Sequence, residues 1–446
     1  SEYQANQNNF RGEFIDEPVD YSHPYIEIDN NKCILCTRCV RICRDVVGAN
    51  ALGLVNRGFE TVIAPEMGNS LLDTQCESCG MCISACPTGA ISENTRVKSL
   101  PIKFDTIHTI CNYCSIGCEI DIHHSNGYVN SVSGHKGLIN KDGNICKFAR
   151  FGYDYLNDQS RIKTPLIKEN GAFREATFSE AYDLIFQKFS QSNAHENAVF
   201  GGARLSNEEL FLLRKLTTKG LKTNNLGSFH YLGREYGCTN ISQFNVPFEQ
   251  LEKVNKIVLL GSELNNENAV LGFMIQHAAV ERNIPITNIS DKAHSSMDFK
   301  VSENIKVESY YHLIKAMNYY LLSNGLQNSM FIDSRCDDFE NYRTQLLKFD
   351  FSALCVAAGL KESTVACLAD DYNLEANAVL IFAEKNLDEA TIREIFNLSL
   401  ITGKLGKSSM GLIALREKNN SQGLIDMGIA SSLQIGGLTI DETAHK

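Results

Sequence analysis

From about residue 165 onward, short apolar runs alternate with longer amphipathic stretches. "KIVLLGS" and "IPITNIS" are apolar enough for buried strands, and "ENAVFGG" is a further strand candidate. Between them lie helical patterns. "RLSNEELFLLRKLTTKGL" carries Ser206 and Glu209 at capping-box spacing ahead of an apolar face. "NENAVLGFMIQHAAVERN" reads as a second helix. "NAVLIFAEKNLDEATIREIFNLSLITGKLG" repeats the strand-then-helix theme and stops on glycines. Such units predict a parallel sheet with helices on its faces. "GSELNN" lacks the G-x-G-x-x-G spacing of a dinucleotide loop and reads as a strand-end turn.

Upstream of residue 165 the pattern is set by cysteine. Twelve of the 16 cysteines lie between Cys33 and Cys146. Close gaps of this kind, in a sequence with no visible export signal, read as metal ligands rather than disulfides. The remaining four, Cys238, Cys336, Cys355 and Cys367, have no neighbours at ligand spacing and read as small buried apolar residues. Residues 1–24 are polar, rich in Asn and Gln, and read as a linker. The formal net charge of −11 argues against nucleic acid or an anionic membrane as partner. No apolar run has the length of a membrane span, so no membrane insertion and a cytoplasmic location are expected.

The first cysteine group is Cys33-x2-Cys36-x2-Cys39-x3-Cys43. The second is Cys76-x2-Cys79-x2-Cys82-x3-Cys86, followed by Pro87. Both have the spacing of bacterial two-cluster ferredoxins, in which the fourth cysteine of each run serves the other cluster. Cys33, Cys36, Cys39 and Cys86 are therefore expected at one [4Fe–4S] cluster, and Cys76, Cys79, Cys82 and Cys43 at the other. Cys111-x2-Cys114-x3-Cys118, with Cys146, is less specific as bare spacing. Zinc is the alternative there, and the two upstream groups favour a third [4Fe–4S] cluster.

"TICNYCSIGCEIDIHHSNGYVNSVSG" and "DGNICKFARFGYDYLNDQSRIKTPLIKENGAFREATFSEAYDLI" resemble the start of the molybdenum/tungsten formate dehydrogenase catalytic subunit. They also resemble the large iron–sulfur subunit of bacterial complex I. "KCILCTRCVRICRDVVGANALG" through "CESCGMCISACPTGAI" is similar to the two-cluster ferredoxin module that precedes that domain in NAD-linked relatives. The likeness extends through "GSELNNENAVLG" and "LITGKLGKSSMGLIALREKNNSQGLIDMG". The resemblance implies an α+β two-cluster ferredoxin module over 25–100 and a [4Fe–4S] domain over 101–160. Degenerate Rossmann-like α/β domains of the formate dehydrogenase type follow over 161–446, without the terminal domain that closes over the second pterin.

Three departures from the family shape the functional expectation. The family has a Thr-Asn-Asn like Thr223-Asn224-Asn225, followed eight residues after the second Asn by a metal-ligating Cys or selenocysteine and then a His. Here those positions are Gly233 and Arg234, which offer no metal ligand and no neutral nitrogen base. Arg416 matches the arginine expected to orient formate, but Glu417 and Lys418 replace a small residue and an amide. The sequence also stops soon after that motif. Lys147 matches the lysine that bridges pterin and cluster in the family. Its other reading is an inherited cation that tunes the neighbouring cluster.

The expectation is an electron-transfer subunit with three [4Fe–4S] clusters, no molybdopterin and no catalytic residue of its own. It implies a hetero-oligomeric complex with a flavin- and NAD(P)-binding subunit, a small [2Fe–2S] subunit and ferredoxin, of a kind that includes electron-bifurcating enzymes. An N-terminal [2Fe–2S] domain, which precedes such a linker in relatives, does not occur within this sequence. The alternatives are a molybdenum or tungsten formate dehydrogenase, or a zinc-bearing structural module.

Overall fold

Strands buried on both faces must be apolar along their length, and the runs marked by the sequence form the centre of the molecule. The structure is a computed structural model and describes residue 13 and residues 15–94, 103–231, 245–429 and 433–436. The N-terminal module has four short strands, β1 (Ile26–Ile28), β2 (Gly53–Val55), β3 (Val62–Ala64) and β4 (Ile91–Glu93). β1 pairs antiparallel with β4, and β2 with β3. Next comes an antiparallel meander of β5 (Asp105–Ile110), β6 (Glu119–Ser125) and β7 (Tyr128–Gly134). β8 (Leu166–Glu169) and β9 (Ala172–Glu175) form an exposed hairpin. β10 (Val199–Phe200) and β11 (Leu226–Gly227) are a short parallel pair.

The main sheet comprises β12 (Lys256–Leu260), β13 (Ile286–Ser290), β14 (Glu303–Lys306), β15 (Ala378–Ala383) and β16 (Gly411–Leu415). All its pairings are parallel and its order is β14-β13-β12-β15-β16. The chain thus builds outward from β12 in both directions, which makes the β12/β15 boundary a topological switch point. The edge strand β14, with sequence ENIK, is largely exposed and charged, as edges usually are.

Side chains alternate between two cores, as strand geometry requires. Ile257, Leu259, Val379, Ile381, Ile413 and Leu415 face one core; Val258, Leu260, Leu380, Phe382 and Leu412 face the other. The helix Ala269–Arg282 covers the first face through Phe273 and Ile275. Tyr310–Ser323 and Glu389–Ile401 cover the second through Leu313, Ile314, Ile395 and Leu398. Each fully buried side chain of this size stabilises by about 1.5–3 kcal/mol. The first core runs without a break into Ile26 and Met81 of the N-terminal module and Ile116 and Ile145 around the third cysteine group. The cysteine modules are therefore packed onto one chosen face of the sheet.

Ser206 and Glu209 form the expected capping box, and the helix Asn207–Lys215 follows it. The polar N-terminal segment is more engaged than a free linker. Asp20 and Ile28 exchange backbone hydrogen bonds of 2.9 and 3.0 Å. His23 is buried, and its Nε2 lies 3.0 Å from Ser78 Oγ in the second cysteine group. Among the described residues no single helix is long and apolar enough to cross a membrane.

Candidate metal centres

The duplicated cysteine runs produce duplicated local geometry. Leu35 and Ser78, each two residues after the first cysteine of its run, have φ values of 53° and 55°. Thr37 and Gly80, four residues after it, have 58° and 69°. These left-handed residues curl each loop so that backbone N–H groups turn inward, a geometry that suits anionic centres. Leu35 N–H donates to Cys33 Sγ, and Ser78 N–H to Cys76 Sγ, both at 3.4 Å. The last cysteine of each run also accepts a backbone donor at 3.4 Å, from Ala51 to Cys43 and from Ile91 to Cys86.

The two runs exchange their last members. Cys33, Cys36, Cys39 and Cys86 line one cavity with Ile28, Ile63 and Ile91. Cys43, Cys76, Cys79 and Cys82 line a second with Ile26, Leu71 and Met81. Burial pushes the Cys39 thiol up to about 11 and the Cys79 thiol up to about 12. A bound metal reverses this preference, because its charge favours the thiolate. Four sulfurs in an apolar cavity with inward N–H donors fit an iron–sulfur cluster.

In the third group, Cys111 leaves β5 and Cys118 enters β6, and Cys111 N–H closes the hairpin on Cys118 O at 2.8 Å. Cys146 caps the helix Lys147–Phe151. All four cysteines line a cleft of about 250 Å3 together with Asn268, Glu267, Lys385 and Arg416. These last residues lie in the segments that follow β12, β15 and β16, so the cysteine site faces the switch-point crevice. Asn268 is buried at the break between two helices, and its amide favours the Cys114 thiolate. Its Nδ2 closes no hydrogen bond of ordinary geometry among the described residues. An inward-facing amide of this kind fits a sulfur-rich centre.

Buried charges tie the sites together. Arg150 donates to Cys79 O at 3.2 Å and to Ser84 Oγ at 2.7 Å. Lys300, with a fully buried side chain, pairs with Glu77 in the second cysteine loop and donates to Asn265 Oδ1 at 3.0 Å. The Lys147 charge acts on Cys76 and Glu77 of the second site and on Cys146 of the third. Its charge is thus felt at both sites. Sequence reasoning missed Arg150, Lys300 and Asn268. Only Glu77, inside the second cysteine run, carried any local signal.

The family model for molybdopterin oxidoreductase matches residues 161–436, more than half of the chain. The chain belongs to the molybdopterin oxidoreductase family. The model for the Fe4S4 domain of that family matches residues 104–158. The ferredoxin-like domain of NADH-quinone oxidoreductase subunit 3 matches residues 23–92. The chain thus carries iron–sulfur domains of both kinds. It is 29% identical over 447 residues to the NADPH-Fe(3+) oxidoreductase subunit alpha of Geobacter sulfurreducens, covering 96% of this chain and 52% of that protein. It is 30% identical over 273 residues to an NADH-quinone oxidoreductase subunit of Rhizobium meliloti, covering 60% of this chain and 32% of that one. The chain spans about half the length of the Geobacter relative. Acetylene hydratase from Pelobacter acetylenicus shares the fold, with a TM-score of 0.56 and 16% identity over 66% of this chain and 43% of its own.

Within this family fold the residues expected at a pterin site are engaged otherwise. Arg416 is 6% exposed and pairs with Glu384 at 2.7 Å, and its backbone N–H donates to Ser115 Oγ at 3.1 Å. Lys418 pairs with Glu417 at 2.8 Å. Thr223 and Asn225, just ahead of β11, bond to the oxygen of Asn197, just ahead of β10, at 3.3 and 3.0 Å. Gly233, Arg234 and Cys238 lie outside the described residues. The scattered cysteines need a correction: Cys355 is buried, but Cys336 is half-buried and Cys367 is exposed on its helix. The helix Glu362–Leu374 turns Val365, Leu368 and Ala369 inward, which leaves Cys367 on its solvent side.

Proposed function

We propose that this chain is the iron–sulfur electron-transfer subunit of a multi-subunit NAD(P)H-linked oxidoreductase, holding three [4Fe–4S] clusters. The ligands are Cys33, Cys36, Cys39 and Cys86; Cys43, Cys76, Cys79 and Cys82; and Cys111, Cys114, Cys118 and Cys146. The observation that carries this reading is the gathering of twelve cysteines into three cavities of four. Such clusters supply one-electron transfer; the chain's part is to bury the sulfurs, aim N–H donors at them and place cations between them. The second site is joined to the first by the exchanged cysteines and to the third by Arg150 and Lys147, which supports a relay in that order. In this reading Lys147 is an inherited cation whose charge is felt at two clusters.

The names of the Geobacter and Rhizobium relatives support an NADPH- or NADH-linked complex. Its partners are a flavin- and NAD(P)-binding subunit, a small [2Fe–2S] subunit and ferredoxin, in the cytoplasm. A bifurcating NAD(P)H–ferredoxin oxidoreductase or transhydrogenase is the setting we favour. The cleft is read as a vestigial pterin site, because position 233 has no side chain and Arg416 is committed to Glu384. Anaerobic purification and elemental analysis test this. About twelve irons with equal sulfide, and no molybdenum or tungsten, are expected. Stoichiometric molybdenum or tungsten with formate-dependent dye reduction would mean a formate dehydrogenase, and zinc without iron would end the relay reading.

A further inference from the structure

Strand β6 places Glu119, Asp121 and His123 on one face, as its two-residue period demands. Asp121 is the cross-strand partner of His108 on β5 and of Ser133 on β7, and His135 follows β7 directly. Three strands thus bring two imidazoles and a carboxylate together, outside every role in the proposed relay. His108 Nδ1 lies 3.4 Å from Asp121 Oδ1, and His135 Nδ1 lies 3.0 Å from Asp121 Oδ2. One ligand atom from each of the three lies within 4.8 Å of the others.

A second observation concerns the far side of His108. Its Nε2 lies 3.1 Å from Glu119 Oε2. Glu119 Oε1 in turn accepts the Leu138 N–H at 2.7 Å. A carboxylate in this position fixes the tautomer of a histidine when that histidine binds a metal. With Nε2–H given to Glu119, the Nδ1 lone pair of His108 faces another acceptor, Asp121. A cation between them would be held by both groups. The two rings lie with their centroids 4.1 Å apart, and each turns its Nδ1 to the same carboxylate. One divalent ion satisfies all three groups at once.

We propose that His108, Asp121 and His135 bind a divalent transition ion of the zinc class, with Glu119 as the positioning residue for His108. Two imidazoles and one carboxylate are ordinary zinc donors at about 2.0–2.2 Å, and a water completes the tetrahedron. The ion clips β5, β6 and β7 together at the end from which Cys111 and Cys118 emerge. It is a structural clip, and it involves no electron transfer.

The test is equilibrium dialysis of the anaerobically purified full chain against micromolar zinc chloride, with zinc, iron and sulfide counted. The wild type is expected to take up about one zinc more than the His108→Ala and Asp121→Asn variants, with iron and sulfide unchanged. Glu119→Gln weakens uptake by about 10–100-fold. His123→Ala, on the same face but outside the cluster, retains it. Should His108→Ala lose iron as well, His135→Gln decides. Zinc uptake equal in the wild type and the variants, or none in the wild type, overturns the proposal. Iron and sulfide report on the relay reading separately.

Discussion

Arg150, four residues after Cys146, donates from its guanidinium to the backbone oxygen of Cys79. The helix behind the third cysteine site is thereby anchored in the loop of the second. Burial lowers the guanidinium pKa, and the nearby Glu93 partly offsets this. Arg150→Met removes hydrogen bonds from a charged donor to Cys79 O and Ser84 Oγ. We expect a loss of about 2–3 kcal/mol in anaerobic denaturant unfolding, with the second site losing iron first. Unchanged stability would show that the anchor is dispensable.

Gly80 and Thr37 occupy equivalent left-handed positions in the two duplicated loops. A Cβ at Gly80 would collide with the Arg150 side chain, whereas Thr37 already carries one. Gly80→Ala should cost more than the roughly 1–2 kcal/mol of left-handed strain and should deplete the second site of iron. Thr37→Gly should be tolerated and should relieve strain of about 1 kcal/mol. Iron content and unfolding midpoints of the two variants check the contrast.

Arg416, which lines the cleft, pairs with the largely shielded Glu384 carboxylate beside it. Arg416→Met should destabilise by about 3–5 kcal/mol, because it leaves a carboxylate buried. Electron transfer to an external acceptor should survive in whatever protein remains folded. The double change with Glu384→Gln should recover most of the stability. A large loss of electron transfer in that folded double variant would mean that the cleft is catalytic.

Asn268 offers its amide to the third site, where a hydrogen bond to sulfur favours the reduced cluster. Asn268→Leu is expected to move the potential of that site negative while the other two stay put. An anaerobic redox titration followed by electron paramagnetic resonance reads this directly. A uniform shift of all three potentials would argue for a general packing effect instead.

Burial lowers the pKa of His23 from the ordinary 6.5, with Asp20 opposing. The unfolded chain therefore binds a proton that the folded chain refuses once pH falls below about 6.5. Stability should be full above that value and should fall as pH drops toward the lowered folded value. His23→Gln should flatten this dependence below about pH 6.5, as measured by unfolding at each pH.

The cysteine groups were legible because their information is local. A ligand run needs only a few residues and one or two left-handed turns, all within one loop. The alternating strands and helices were legible for a similar reason. A strand such as AVLIFA has no other place to go than between two apolar layers. Misreadings arose where locality fails. Cys367 looked like a core residue by type, yet its helix turns that face outward. The segment before residue 25 reads as a linker, and its sequence does not show that His23 meets Ser78 of the second cysteine loop, 55 positions away.

The sequence by itself determined three close-spaced cysteine groups and the strand-and-helix alternation of a parallel sheet. Tertiary structure decided what surrounds each loop. Lys300 meets Glu77 across 223 positions, and Arg416 meets Ser115 across 301. Buried charges must find partners wherever packing brings them. Spacing along a chain specifies a ligand set, but only the packed fold specifies the field in which that set works.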